Sequence, residues 1–187
     1  YGYIEFGKEI LNKLNGIFAF LIYNNSTEDI FISRDQLGVK PLYYYQYKDA
    51  FLVGSELKSF LPYPSLDKTL EPSTLLNQLI YLFSPNNSTP FKYIKKLPPG
   101  SYMELNVKDP GSYKITSYYS IPVANSTKRL SKESTESLLQ KGLEEKLLQA
   151  VERQLLSDVP VGFFLSGGLD SSAVVAMAKA INPDQEL

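Results

Sequence analysis

The sequence predicts two kinds of fold in succession, an α+β region built from short antiparallel strands and then the beginning of an α/β region. Three observations lead to this prediction. Short apolar runs alternate with turn residues through residues 17–54, as in an antiparallel sheet. A polar stretch at 122–134, rich in Asn, Ser, Thr, Lys and Glu, is the best linker candidate. After it, an amphipathic segment precedes an apolar run, a Gly-Gly turn and a second helical segment.

The first region begins with a short helix and two hairpins. Residues 3–14 carry apolar side chains at helical spacing. Two apolar runs, 17–23 and 30–33, flank the turn residues Asn-Asn-Ser-Thr and predict a buried hairpin. The runs at 42–47 and 50–54, joined by a two-residue link, predict a second hairpin. These segments together indicate an antiparallel sheet with a helix beside it.

Two short helices are expected after the hairpins. The segment 55–61 has the pattern of one or two helical turns, with Ser55 as the capping residue and a proline after it. Residues 75–83 form the second helical pattern, and we expect its cap near Ser73 or Thr74.

Further along, residues 101–105 alternate like an edge strand, and Asp-Pro-Gly at 109–111 predicts a turn. An earlier turn is expected at Gly38. Arg34 and Asp35 just before it could be an active-site pair, but an ion pair that braces this turn is the favoured interpretation.

The composition excludes several kinds of chemistry. With 19 Lys+Arg against 20 Asp+Glu, the net charge of −1 does not favour binding to nucleic acid or to an anionic membrane. No apolar run approaches the roughly 20 residues of a membrane-spanning helix, and no signal-peptide pattern is present, so a cytoplasmic location is expected. The chain has no Cys and no His, which removes thiolate nucleophiles and the commonest general base.

A strand, loop and helix pattern near the end carries the clearest chemical signal. Residues 159–165 are apolar and predict a buried parallel strand, while 172–180 are small and apolar and predict a helix. Between them lies Ser-Gly-Gly-Leu-Asp-Ser at 166–171. Helix N-termini present unpaired N–H groups and partial positive charge, and paired glycines let an anion approach closely. We therefore predict a cradle for phosphate oxygens, in which Asp170 acts through Mg²⁺ or by holding the loop.

The simpler interpretation of this loop is a turn with capping serines. The loop has neither the spacing Gly-x-x-x-x-Gly-Lys-Ser/Thr nor Gly-x-Gly-x-x-Gly, which are the two common phosphate signatures. Its residue types alone leave both interpretations open.

The complete string resembles the signature of ATP pyrophosphatases, enzymes that split ATP into AMP and pyrophosphate. Five other motifs stand in the order found in glutamine-hydrolysing asparagine synthetases, a family that this chain resembles over nearly its whole length. They are Gly-Ile-Phe-Ala-Phe at 16–20, Ser-Arg-Asp-Gln-Leu-Gly-Val-Lys-Pro-Leu-Tyr-Tyr at 33–44, Gly-Ser-Glu-Leu-Lys-Ser-Phe at 54–60, Leu-Pro-Pro-Gly-Ser-Tyr at 97–102 and Ser-Asp-Val-Pro-Val-Gly at 157–162.

The resemblance implies the domains and their folds. Residues 1–123 would be the C-terminal part of a glutaminase (type 2 glutamine amidotransferase) domain, an α+β N-terminal-nucleophile hydrolase sandwich. Residues 124–187 would begin the α/β nucleotide-binding (ATP pyrophosphatase) domain of the synthetase. Because the chain starts at Tyr1 and stops soon after a nucleotide-type helix, we expect a piece of a longer protein that is inactive by itself.

The resemblance also implies a reaction, in which ATP and Mg²⁺ activate aspartate as β-aspartyl-AMP and ammonia from glutamine completes asparagine. The catalytic N-terminal Cys of the family is absent, and a homodimer is a candidate assembly. Two alternatives stay open, a related amidotransferase acting on a sugar or natural-product carboxylate and a non-catalytic truncated relative. The ATP and pyrophosphate site transfers to these positions: Leu165, Ser166, Gly167, Gly168, Leu169, Asp170 and Ser171.

Overall fold

A computed structural model describes residues 1–123 and 132–183, without the side chains of 132–135. The chain divides into two compact units, Tyr1–Val123 and Ala124–Leu187. Within the described residues, no helix combines the length and the apolar character that a membrane crossing requires.

The first unit contains two helices, two 3₁₀ segments and seven strands. Helix α1 (Gly2–Phe6) continues into a 3₁₀ segment (Gly7–Asn12), and a second 3₁₀ segment (Leu57–Phe60) precedes α2 (Pro72–Tyr81). The strands are β1 (Ala19–Asn24), β2 (Asp29–Arg34), β3 (Tyr43–Tyr47), β4 (Ala50–Gly54), β5 (Ile94–Lys96), β6 (Ser101–Asn106) and β7 (Asp109–Ser117).

The strands form two antiparallel sheets, which confirms the α+β prediction for this unit. The larger sheet has the order β1-β2-β6-β7 and the smaller one β4-β3-β5. Both predicted hairpins are present, with Leu21 opposite Ile32 in the first and Tyr45 opposite Leu52 in the second. The first hairpin is not fully buried, because β1 is an edge strand and leaves Leu21 about half exposed.

Side-chain alternation along the strands builds three apolar clusters. Ile32 on β2 packs with Tyr44 on β3 in the cluster between the two sheets. Its neighbour Phe31 points the opposite way and packs with Leu11 of the first 3₁₀ segment. Tyr45 likewise points away from Tyr44, into a cluster that the second 3₁₀ segment covers. The unit is therefore layered, with helical segment, sheet, sheet and helical segment in that order.

One strand prediction and one turn prediction in this unit are wrong. The strand expected at the edge, β6, lies between β2 and β7, since both of its edges find partners. The turn expected at 109–111 falls instead at Val107 and Lys108, where Asn106 pairs with Asp109 and β7 begins. A two-residue link suffices to reverse the chain there, so the Pro-Gly pair is free to extend the edge strand.

Both helix-cap predictions are also wrong. The residue before the second 3₁₀ segment is Glu56, not Ser55, and no side chain caps it. Helix α2 begins at Pro72, with Glu71 before it and again without a side-chain cap. Proline suits the first helical position because its missing N–H would have no partner there.

The second unit contains the two predicted helices, α3 (Lys132–Gln154) and α4 (Leu169–Ile181), which pack against each other. The buried strand predicted at 159–165 is wrong, because this segment is irregular and Phe164 is fully exposed. The described part of this unit offers no other strand to pair with it, and an unpaired strand is unstable in water. The apolar stripe of α3 is also largely exposed, with Leu138 at 71%. Most of the predicted linker lies outside the described residues.

Candidate functional site

The predicted phosphate loop lies between the irregular segment 159–165 and α4. Gly167 has a φ of +79°, and a Cβ added there would meet no atom within 4 Å. Gly168 follows in extended conformation, with φ −76° and ψ 162°, and is the residue before the helix. The left-handed Gly167 thus turns the exposed chain into the N-terminus of α4. The helix begins at Leu169, three residues earlier than predicted, so the second half of the predicted turn forms its first turn.

Main-chain donors are concentrated at this end of α4. The first helical hydrogen bond runs from the Ser172 N–H to the Gly168 carbonyl, at 3.1 Å. The N–H groups of Leu169, Asp170 and Ser171 therefore precede the hydrogen-bonded part of the helix and point out from its N-terminal end. The side chains of Leu165, Leu169 and Asp170 are exposed. An anion of phosphate size has open access to these donors, and the helix dipole favours it.

Two serine hydroxyls close the loop on itself. The Ser166 and Ser171 Oγ atoms lie 3.0 Å apart. Ser171 Oγ donates to the Gly168 carbonyl at 3.1 Å, and the Gly168 N–H donates to Ser166 Oγ at 3.4 Å. The structure thus brings together all of the predicted loop residues from 166 to 171.

The loop contains one carboxylate that could contact a cation. Within residues 1–123 and 132–183, no three acidic, Cys or His side chains cluster as metal ligands. Asp170, in the first turn of α4, supplies the carboxylate of the loop 166–171. Mg²⁺ commonly keeps several waters and binds through one carboxylate and substrate phosphates, and this donor set fits that mode.

In the first unit, Arg34 and Asp35 brace the Gly38 turn by a mechanism that differs from the predicted ion pair. The Arg34 guanidinium donates to three carbonyl oxygens, those of Gly38 (2.6 Å), Lys40 (2.7 Å) and Leu97 (2.7 Å). Asp35 accepts from main-chain N–H groups instead, at 2.9 Å from Val39 and 3.0 Å from Lys40. The predicted bracing is therefore present, but each side chain achieves it through the backbone.

These environments shift the pKa of both groups. Burial lowers the pKa of Arg34, and the neighbouring Asp35 partly offsets the effect. Burial by itself would raise the pKa of the Asp35 carboxyl, but hydrogen bonds from the Lys40, Val39 and Leu37 N–H groups outweigh it and lower the pKa. The lowered pKa favours the charged form of Asp35, whereas burial disfavours that of Arg34. The hydrogen bonds of both side chains go to the backbone around the turn, so the geometry supports a structural role for them.

A cavity of about 530 Å³ lies beside this turn, and the sequence did not predict it. The motifs at 16–20, 33–44 and 54–60, which are far apart in the chain, all contribute to its wall. Those residues are Ile17, Phe18, Ala19, Lys40, Pro41, Ser55 and Glu56. The fold brings these three motifs together. In the sequence, the only sign of this was that all three motifs occur in the same family.

The layered unit and the loop each fall within a match to a known protein family. A family model described as glutamine amidotransferase domain matches residues 1–119, which is more than half of the chain. The chain belongs to the glutamine amidotransferase domain family. A second model, described as asparagine synthase, matches residues 142–186 of this amidotransferase chain and thus includes the loop.

Curated relatives agree with both matches. The amidotransferase chain is 33% identical to asparagine synthetase [glutamine-hydrolyzing] 1 of Bacillus subtilis, over 97% of this chain and 27% of the relative. It is 36% identical to asparagine synthetase [glutamine-hydrolyzing] 3 of the same organism, over 95% of this chain and 28% of the relative. An enzyme of Gibberella zeae named amidase chry2 is 30% identical, over 94% of this chain and 25% of the relative.

These similarities confirm the resemblance to glutamine-hydrolysing asparagine synthetases that the motifs indicated. The chain spans about a quarter of the length of the curated relatives it matches.

Proposed function

We propose that residues 166–171 bind the pyrophosphate portion of ATP in an ATP-dependent amidotransferase ligase. The observation that carries the proposal is the exposed N-terminus of α4. Left-handed Gly167 precedes it, and the N–H groups of 169–171 have no partner within the helix. Leu165 supplies main chain before the loop, and Asp170 contacts Mg²⁺ bound to the phosphates. The match of an asparagine synthase model over 142–186 supports this assignment.

Each unit then has a part in the larger enzyme. Residues 1–123 are the C-terminal part of a glutaminase domain with the N-terminal-nucleophile hydrolase sandwich, which the two stacked antiparallel sheets support. Residues 124–187 are the N-terminal part of an ATP pyrophosphatase domain. The irregular segment 159–165 would become a parallel strand once neighbouring strands of that domain supply its hydrogen bonds.

The proposed reaction makes L-asparagine from L-aspartate, L-glutamine and ATP. A free carboxylate is a poor acyl donor, so the aspartate side chain attacks the α-phosphorus of ATP and expels pyrophosphate, forming β-aspartyl-AMP. Ammonia from glutamine hydrolysis then displaces AMP. The loop donors stabilise the charge that develops on the departing pyrophosphate. The enzyme would be a cytoplasmic homodimer in asparagine biosynthesis, with no nucleic-acid or membrane partner.

A second candidate has an observation in its favour. The similarity to a protein named amidase chry2 shows that close relatives carry names other than asparagine synthetase. A related amidotransferase acting on a different carboxylate would use the same loop for pyrophosphate. The acceptor would be chosen by residues outside this chain, so substrate trials on the longer protein with aspartate and other carboxylates separate the two candidates.

Pyrophosphate binding tests the loop assignment. The ¹⁵N-labelled chain is titrated with pyrophosphate and Mg²⁺, and the amide signals of 166–171 should shift selectively. Gly167→Ala places a Cβ in the left-handed region, at a cost of about 1–2 kcal/mol, and should weaken binding about tenfold. Gly162→Ala is the matched control, because an added Cβ there also meets nothing within 4 Å and its φ is not left-handed.

Two results would contradict the assignment. One is the absence of any pyrophosphate-dependent shift in the loop of the wild-type chain. The other is an equal loss of affinity in Gly167→Ala and Gly162→Ala, since this would show that the backbone conformation of Gly167 is irrelevant to binding.

A further inference from the structure

Helix α2 carries apolar side chains on the face that points to solvent. Leu76, Leu79 and Ile80 have the i, i+3, i+4 spacing of one helical face, and all three are more than half exposed. The residue that the helix does bury is Thr74, which is polar. A surface helix of a globular protein normally buries its apolar stripe and exposes its polar face. In α2 this arrangement is reversed.

The chain after α2 extends the same apolar surface at a conformational cost. Leu82 has a φ of +63°, and its N–H donates to the Gln78 carbonyl at 2.9 Å, in a helix ending that glycine usually forms. Leucine is strained in this left-handed conformation, and its side chain is almost fully exposed. Tyr81 and Phe83 beside it are also exposed, with ring centroids 6.2 Å apart. A strained, exposed leucine points to a role outside the core of its own unit.

This surface suits a second copy of the same chain. Residues 72–83 contain no charged side chain, so two copies related by a two-fold axis can meet there without opposing like charges. The core of a homodimer interface is likewise apolar, depleted in charge and rich in aromatic residues. Six exposed apolar side chains would supply a large part of the roughly 800 Å² per partner that a standard interface buries. They form what we call the α2 surface: Leu76, Leu79, Ile80, Tyr81, Leu82 and Phe83.

We infer that the α2 surface is the interface of a symmetric homodimer of this chain. The inference rests on the proposed function for the homodimer, to which it assigns a surface, and it does not involve the pyrophosphate loop. In a two-fold interface the same residues serve both copies, so each leucine is removed from water twice, once in each copy. The exposed apolar stripe of α2 and the strained Leu82 then have one common explanation.

Sedimentation equilibrium of the whole chain measures this assembly. The average mass should rise with concentration from that of one chain to that of two, with a dissociation constant on the order of micromolar. Leu79→Gln keeps a good helix former but removes a buried leucine from each copy, and should weaken dimerisation about tenfold. Leu138→Gln on α3 is the matched control, because it makes the same change at an exposed helical leucine outside the α2 surface. It should leave the dissociation constant unchanged.

Leu82→Gly separates the interface from the fold. Glycine adopts the left-handed conformation without strain, so urea unfolding of the variant at a concentration where it is monomeric should have the same midpoint as wild type or a higher one. Dimerisation should nevertheless weaken about as much as in Leu79→Gln. A weaker dimer in this variant therefore cannot result from a less stable fold.

The outcomes separate the inference from the proposed function. A chain that stays monomeric at every concentration would overturn the inference, and so would a dimer that Leu138→Gln weakens while Leu79→Gln and Leu82→Gly do not. A chain that dimerises through the α2 surface but binds no pyrophosphate would keep the inference and contradict the proposed function of the loop.

Discussion

At the scale of single residues, the Gly38 turn depends on side chains that bond to the main chain. Arg34 donates to three carbonyl groups and Asp35 accepts from three N–H groups. Backbone acceptors and backbone donors around the turn therefore both have side-chain partners. The Asp35 carbonyl also accepts from the Gly100 N–H at 2.8 Å, which ties the turn to the start of β6. A substitution that changes the backbone of this turn should therefore lower the stability of the first unit.

Gly38→Ala should therefore destabilise the first unit by about 1–3 kcal/mol. The φ of Gly38 is +66°, and an added Cβ would lie 2.9 Å from Pro99 Cγ and 3.0 Å from Arg34 Cζ. The free energy of unfolding is measured by urea denaturation followed by tyrosine fluorescence. Gly142→Ala on α3 is the matched control, because nothing lies within 4 Å of its added Cβ and alanine favours a helix. Equal stability of Gly38→Ala and wild type would contradict the prediction.

The Asp35 carboxylate predicts a pH dependence of the same turn. Its pKa in the folded chain is lowered, so its stabilising contribution is complete above the ordinary value of about 3.9 and is lost as the pH falls through the lower folded pKa. Asp35→Asn replaces one acceptor oxygen by an NH₂ group that faces N–H donors, and should cost about 2–3 kcal/mol at pH 7.

The measurement is the unfolding free energy of both chains from pH 7 down to pH 3. The difference between wild type and Asp35→Asn should shrink below about pH 4, where the wild-type carboxylate loses its advantage. A difference that stays constant with pH would show that the charge of Asp35 is not the source of its stabilisation.

At the scale of elements, two apolar runs that both predict a strand differ in the structure, since only one of them forms a strand. The run around β2 found partners on both sides and became buried, whereas the run at 159–165 stayed irregular and exposed. Local propensity favours a strand in both, but a strand is stable only when its backbone hydrogen bonds are made. Periodicity indicates that a segment is suited to a sheet, and the neighbours decide whether the sheet exists.

Hydrogen exchange should distinguish these two elements. Amides in 159–165 of the isolated chain should exchange close to the rates of an unstructured peptide, while those of β6, which has neighbours on both edges, should be strongly protected. Exchange is followed residue by residue by NMR. Slow exchange throughout 159–165 would contradict the structure of this segment.

At the scale of the whole molecule, apolar surface remains exposed on both units. On the first unit, Leu79 in α2 and Leu82 just after it are 80% and 88% exposed, and on the second Leu138 on α3 is 71% exposed. Contiguous exposed apolar surface commonly marks an interaction site or a tendency to associate. The chain also spans only about a quarter of its curated relatives.

We therefore expect this chain alone to release no ammonia from glutamine and to make no pyrophosphate from ATP and aspartate. It lacks any Cys or His, so neither a thiolate nucleophile nor an imidazole base is available. Ammonia is measured by a coupled dehydrogenase assay and pyrophosphate by a colorimetric assay, with heat-denatured chain as the control. Ammonia release above that background would overturn the expectation.

The sequence by itself determined the elements whose signal is local. The hairpins, the two helices of the second unit and the Gly-Gly turn at 167–168 follow from periodicity and from glycine at a position that needs positive φ. Its motifs also determined the family, since their order does not depend on the fold.

Tertiary structure alone decided what depends on contacts between distant residues. It placed β6 inside a sheet, replaced the Arg34–Asp35 ion pair by bonds to the backbone, left 159–165 unpaired and brought three motifs to one cavity. The strand pairing, the cavity and the Arg34 bond to the Leu97 carbonyl depend on partners far away in sequence, about which a local pattern carries no information. The other bonds of Arg34 and Asp35 are local, but they depend on the conformation of the Gly38 turn.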